Sequence, residues 1–103
     1  VTIAIYLDDI RVPKTDDWKW IVLRSSAEAI EYVKNHGLPI FASFDHDLSD
    51  DDTTMIFLHW LINHDLDNGG TIIPTNFTWF THSANPVGVK NIDGLLTSYM
   101  KSK

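Results

Sequence analysis

Four short apolar runs cross the chain, and three of them stop at polar residues rich in chemistry. Ile3-Ala4-Ile5-Tyr6-Leu7 is β-branched and aromatic and is bounded by Asp8-Asp9, which predicts a buried strand. Residues 8–17, with Pro13 and charged Arg11, Lys14, Asp16 and Asp17, read as a loop. Trp18 to Leu23 predicts a second strand nearer an edge. Residues 40–44 predict a third; being apolar on both faces, it belongs at the centre of a sheet. Residues 76–81 predict a fourth.

The segments between change period. Ala29, Ile30 and Val33 mark one face of a helix, with Glu28, Glu31 and Lys34 turned away. Ser25 or Ser26 caps it, and Ser25 with Glu28 has capping-box spacing. Gly37 ends it and Pro39 blocks its continuation. A second helix is expected over 53–64: Phe57, Leu58 and Leu61 are buried, Trp60 and Ile62 widen that face, and His59 and Asn63 meet solvent. Asp65, Asp67, Asn68, Gly69 and Gly70 make a turn-rich exit, and Ile72-Ile73 is a short apolar link before Pro74. After Pro86, the spacing of Val89, Ile92, Leu95, Leu96 and Tyr99 predicts a last helix over 88–100.

Strands linked through helices imply largely parallel pairing and a layered α/β fold. In such sheets ligands bind beyond the carboxyl ends of the strands. The polar clusters Asp8-Asp9, Asp45-His46-Asp47 and His82-Ser83-Ala84-Asn85 all fall at those ends. The 103 residues fit one domain, and no repeat or linker divides them. A net charge of -6 argues against a surface that attracts nucleic acid over its whole area. Cysteine is absent, which removes disulfides, thiolate metal sites and a cysteine nucleophile. No signal-like segment opens the chain and no run reaches membrane-spanning length, so a soluble cytoplasmic protein without membrane association is expected. Val1 is expected to follow a removed or uncounted initiator methionine.

If the first and third strands are neighbours, Asp8, Asp9 and Asp45 converge. Carboxylates and waters suit a hard divalent ion such as Mg²⁺ or Mn²⁺. Without a cation, such close carboxylates repel one another. Asp50-Asp51-Asp52 reads instead as a solvated loop or a helix N-terminal cap. On extended backbone, His46 points away from the side shared by Asp45 and Asp47. His46 could be a general acid or base, a surface residue, or packing beneath its loop. His82 could reach the acids from an adjacent strand, and a histidine pair facing a phosphate would allow proton transfer both ways. Arg11 offers a fork of donors suited to phosphate, Arg24 could do the same or pair with an acid, and Ser83 and Asn85 offer further hydrogen bonds. No glycine-rich phosphate loop or zinc-ligand spacing is present. The tryptophans read as core or partner-surface residues, with Trp18 placed to border the site.

Leu7-Asp8-Asp9-Ile10-Arg11-Val12-Pro13 resembles the opening of the cyclic-phosphate-processing receiver-like domains. Arg24 with Glu28-Ala29-Ile30, Ser43-Phe44-Asp45-His46-Asp47-Leu48, Trp60-Leu61 and His82-Ser83-Ala84-Asn85-Pro86-Val87-Gly88 are similar to that family too, in order along most of the chain. The resemblance implies a receiver-like, flavodoxin-type three-layer sandwich with a shortened, mostly parallel sheet. It implies that Asp8 and Asp9 are the acidic metal pair and that Asp45 stands at the receiver acceptor position. Ser83 then falls near the receiver's small hydroxyl position, and His46, Asp47, His82 and Asn85 are the distinguishing residues. The chain departs from an ordinary receiver: no helix fits between the first two strands, and the fifth strand with its lysine is missing. The expected function is a metal-assisted phosphoesterase acting on a cyclic phosphate of a small nucleotide or an RNA end. The alternatives are a phosphoacceptor receiver using Asp45, and a non-catalytic module that binds a nucleotide or protein. A short sheet also leaves an edge for a second copy or a protein partner to cover.

Overall fold

The computed structural model describes residues 2–103. In chain order it forms β1 (Ile3–Leu7), β2 (Lys19–Leu23), α1 (Ser26–His36), β3 (Phe41–Phe44), α2 (Thr54–Asp67), β4 (Thr78–Thr81) and α3 (Pro86–Ser102). The sheet has the order β2-β1-β3-β4 and every pairing is parallel. β1 and β3 are therefore the inner strands, in keeping with their largely apolar character, and β2 and β4 are the edges.

Element boundaries moved where a side chain found a better partner. β2 starts at Lys19 because Trp18 leaves the sheet and stacks on Phe41, ring centroids 4.9 Å apart. β4 starts at Thr78 because Phe77 is held in a turn by its N–H to Pro74 O at 3.0 Å, with its ring in the core. α3 starts at Pro86: Asn85 Oδ1 accepts from the N–H of Val87 and Gly88, and proline at the first helical position gives up no needed donor. α2 runs on to Asp67, past the expected end at 64. At α1, Ser25 Oγ caps Glu28 N–H as expected, while Glu28 turns its carboxylate to the Arg24 N–H.

Strand alternation sorts side chains between two unlike faces. Ile5, Leu7, Leu23, Ala42 and Phe44 join Val33, Phe57, Leu61, Ile92 and Leu96 in the core. The crossings β2–α1–β3 and β3–α2–β4 advance in the same direction across the sheet. Right-handed connections then put both helices on one face. α3 packs there too, its Asp93 accepting from Trp79 Nε1 at 3.0 Å and Thr81 Oγ1 at 2.8 Å. The opposite face carries Tyr6, Trp20, Phe41, Ser43 and Phe80, and no helix residue lines the cavity over it. Its cover is the β1–β2 connection, fixed by the Trp18–Phe41 stack and by Trp20 Nε1 donating to Thr15 O at 2.9 Å. Helices, sheet and this long loop make the layers, in an α/β receiver-like arrangement. No helix among the described residues is long and apolar enough to cross a membrane.

Candidate functional site

Each polar cluster starts one residue past its strand, held by the last bond of a ladder. Asp8 N–H donates to Leu23 O at 3.0 Å, Asp45 N–H to Leu7 O at 2.9 Å, and His82 N–H to Phe44 O at 2.8 Å. The same parity that turns Tyr6, Ser43 and Phe80 to the open face turns Asp8, Asp45 and His82 that way. Pairing of β1 with β3 makes Asp8 and Asp45 neighbours, and one carboxylate oxygen each from Asp8, Asp9 and Asp45 lies within 4.8 Å of the others.

Asp8 is fully buried and saturated. Its Oδ1 accepts from the N–H of Ile10 at 3.0 Å and of Arg11 at 2.9 Å. Its Oδ2 meets Arg11 Nε at 2.9 Å and His82 Nε2 at 3.0 Å. Burial would raise its pKa, but the two backbone donors, His82 and the Arg11 charge together hold it below the ordinary carboxylate value. Arg11 Nη2 also reaches Asp45 Oδ2 at 3.1 Å, so one half-exposed guanidinium bridges both acids and offsets their repulsion. Asp45 Oδ1 accepts from His46 N–H at 2.9 Å, and its carbonyl takes the Thr54 hydroxyl. Asp9 accepts from Ser49 Oγ at 3.0 Å.

His82 reaches Asp8 across β3. Its ring lies flat on Tyr6, centroids 4.5 Å apart, and its Nδ1 is 2.7 Å from Ser43 Oγ. A carboxylate can only accept, so Nε2 carries the proton; Nδ1 of the neutral ring then accepts from the Ser43 hydroxyl. Burial lowers the His82 pKa more than Asp8 raises it, which favours the neutral ring.

His46 takes the other side of the edge, as alternation predicts. Its Nδ1 meets Asp47 Oδ1 at 3.1 Å, while Asp47 Oδ2 accepts from Asn85 Nδ2 at 3.0 Å. These two bonds, Asn85 first, hold Asp47 below its ordinary pKa. The His46 ring lies against α3 at Gly88, where an added Cβ would stand 2.4 Å from its Cγ and 2.6 Å from its Cβ. We expect Gly88→Ala to destabilise the protein by about 1–3 kcal/mol, because the overlap outweighs the gain of about 0.5–1 kcal/mol that alanine brings to a helix interior. Urea unfolding together with the His46 ring NMR shifts checks this; a stabilised variant with unmoved shifts would contradict it.

The remaining expected ligands are engaged inside the protein. Arg24 Nη1 donates to the carbonyls of Asp8 at 3.1 Å and Arg11 at 2.7 Å, which pins the start of the β1–β2 loop. Ser83 Oγ accepts from Asn85 N–H at 3.0 Å, and Asn85 caps α3 while holding Asp47. Asp52 caps α1 from a distance, taking Ser26 N–H at 2.8 Å and Ser26 Oγ. Tyr6 and Ser49 are site neighbours outside the quoted motifs, and Ser43 and Gly88 stand within them without an assigned role. Period-two alternation from Asp8 and Asp45 would have found Tyr6 and Ser43.

The acidic cluster offers oxygen donors only, the set a hard divalent cation takes, and the Arg11 guanidinium already fills the place of a cation between two of its members. Neither the curated proteins nor the solved structures contain a match to this chain. A family model, described as the cyclic-phosphate processing receiver domain, matches residues 3–98. That match opens at the first residue of β1 and runs into α3, so it takes in the entire sheet and each polar cluster at its edge: the chain belongs to the cyclic-phosphate processing receiver family.

Proposed function

We propose that the site hydrolyses a cyclic phosphodiester carried by a nucleotide or an RNA end, with Mg²⁺ or Mn²⁺ held by Asp8, Asp9 and Asp45. The observation that carries this is the convergence of the three carboxylates within 4.8 Å, with His82 bonded to one of them beside an open cavity. A bound divalent ion supplies positive charge to the phosphoryl oxygens and makes a coordinated water more acidic. Arg11, released from Asp8 and Asp45, can turn its fork of donors to phosphate oxygens. The two histidines lie on opposite faces of the sheet edge, so a phosphate held at the carboxylates between them would have one on each side. His46 has Nδ1 anchored on Asp47, and among the described residues its Nε2 has no hydrogen-bond partner, the form of an oriented base that takes a proton from water. His82, once protonated on both ring nitrogens, can pass the Nε2 proton to the leaving oxygen and return to the neutral form. The new O–P bond forms from water, one ring P–O bond breaks, and the products are a phosphomonoester and a free hydroxyl.

The test is a panel of cyclic phosphates with and without Mg²⁺ or Mn²⁺, run on the wild type and on His46→Ala and His82→Ala. Divalent-dependent ring opening is expected, falling by about 10²–10⁴ in either variant. No turnover of any member with either ion would overturn the proposal. Incubation with a small phosphodonor reads the rival use of Asp45: an adduct lost in Asp45→Asn, without ring opening, would replace hydrolysis by phosphoacceptor chemistry.

A further inference from the structure

The open face of the sheet holds more apolar surface than a bare phosphate can use. A cavity of about 820 Å³ lies over it, walled by the rings of Tyr6, Trp18, Trp20, Phe41 and Phe80, with Arg11 and His82 at one end. The rings form a connected series. Trp18 stacks on Phe41 at 4.9 Å, Trp20 meets Phe41 at 6.1 Å, Tyr6 meets Trp20 at 5.6 Å, and Tyr6 stacks on His82 at 4.5 Å. His82 in turn touches Asp8 at 3.0 Å. A floor of aromatic rings thus leads without a break into the carboxylate cluster, and two walls are common to both.

We propose that this face is a nucleobase subsite and that the substrate is a nucleoside cyclic monophosphate, its base laid against the Trp18–Phe41 stack beside Phe80 and its phosphate at Arg11 and His82. The assignment rests on the phosphoesterase reading of the adjoining carboxylates and narrows its substrate. Three properties match that occupant. The size falls within the range of about 300–1,000 Å³ usual for small-ligand pockets. Flat aromatic walls take any base, because every base has a π face, and one stacked base is worth about ten-fold in affinity. The cationic side chains in the wall are Arg11 and Lys14 on a chain of net charge -6, which suits one phosphate group better than the backbone of a polynucleotide.

The experiment compares a 2′,3′-cyclic nucleoside monophosphate, glycerol 1,2-cyclic phosphate and an RNA oligonucleotide with a cyclic phosphate end, on the wild type, Trp18→Ala and Trp18→Phe. In Trp18→Ala the KM for the mononucleotide should rise about ten-fold, Trp18→Phe should restore most of it, and the KM for the base-free substrate should change far less. Equal effects on both small substrates, no effect on either, or a preference for the oligonucleotide would overturn the subsite. Sedimentation of the wild type showing a dimer that Trp18→Ala dissolves would overturn it as well, by giving the face to a second copy. If nothing is turned over, the phosphoesterase reading fails on its own, and tryptophan quenching decides the subsite. Quenching by a nucleoside monophosphate but not by ribose 5-phosphate supports it, and equal or absent quenching overturns it.

Discussion

Asp65→Ala is expected to destabilise the protein by about 3–5 kcal/mol, the usual result of removing one partner from a buried ion pair. Asp65 is fully buried on α2 and stands apart from the carboxylates at the sheet edge. Its Oδ1 accepts from the N–H of Ile72 at 2.9 Å and Ile73 at 2.7 Å, which ties down the chain after the helix. Its Oδ2 accepts from Tyr99 Oη at 2.6 Å and Lys103 Nζ at 2.7 Å, which ties α3 to α2. Alanine would leave two backbone donors, a phenol and an ammonium without their acceptor. Burial opposes ionisation of Asp65, but Lys103, Tyr99 and the two N–H groups prevail and lower its pKa from 3.8 to about 2. The folded value lies below the unfolded one, so its contribution is fully present above pH 4 and is lost as pH falls from about 4 to about 2. That interval corresponds to about 2 kcal/mol at 1.36 kcal/mol per pKa unit. Tyr99, pushed up to about 12 by burial and by Asp65, sets the alkaline counterpart: its contribution holds below pH 10 and fades as pH rises towards 12. Urea unfolding of the wild type and Asp65→Asn at pH 7 and pH 2.5 checks this. The gap between them should narrow at low pH, and a constant gap would refute the assignment.

The strands and helices were legible because each apolar run kept one period and ended at a cap or a turn residue. Ser25, Gly37 and Pro86 punctuate the chain locally, and local chemistry can be read from sequence. The convergence of Asp8 and Asp45 was also legible, because inner strands of a parallel sheet align their carboxyl ends. What escaped was long-range. Arg11 was expected to wait for phosphate, but an unliganded acidic pair needs a counter-charge, and Arg11 lies three residues from Asp8. Ser83, Asn85 and Arg24 were read as ligand donors, yet their partners here are Asn85 N–H, Asp47 and two loop carbonyls. The missing helix between β1 and β2 was seen in the spacing. Its consequence, a sheet face covered only by a loop and lined with aromatic rings, needed the strand order to be known. Asp65 looked like part of a turn because its four partners come from residues 72 to 103, a separation no motif spans.

Asp8→Asn should have the largest effect at the site, removing divalent-ion binding and lowering cyclic-phosphate turnover by about 10³-fold or more. The substitution keeps the shape and one acceptor oxygen, so the Ile10 and Arg11 N–H bonds can survive. The other position becomes an amide donor facing Arg11 Nε and His82 Nε2, two further donors. His82 can relieve its half of this conflict by moving its proton to Nδ1 and donating to Ser43 Oγ, which leaves Nε2 as an acceptor. Arg11 cannot, because guanidinium has no acceptor, so it must give up Asp8 and keep only Asp45. Asp9→Asn is the matched control. Asp9 is less buried and, among the described residues, bonds Ser49 Oγ alone, so its loss should weaken ion binding without disturbing Arg11 or His82. Calorimetric titration with Mn²⁺, thermal melts with and without Mg²⁺, and the His82 ring nitrogen shifts read the separate parts. The expected pattern in Asp8→Asn is no Mg²⁺-dependent rise in Tm together with a changed His82 tautomer, and in Asp9→Asn a smaller rise with the tautomer unchanged. If Asp8→Asn kept the Mg²⁺-dependent rise, the ion would have to be held elsewhere, and Arg11 would be the permanent cation of this cluster.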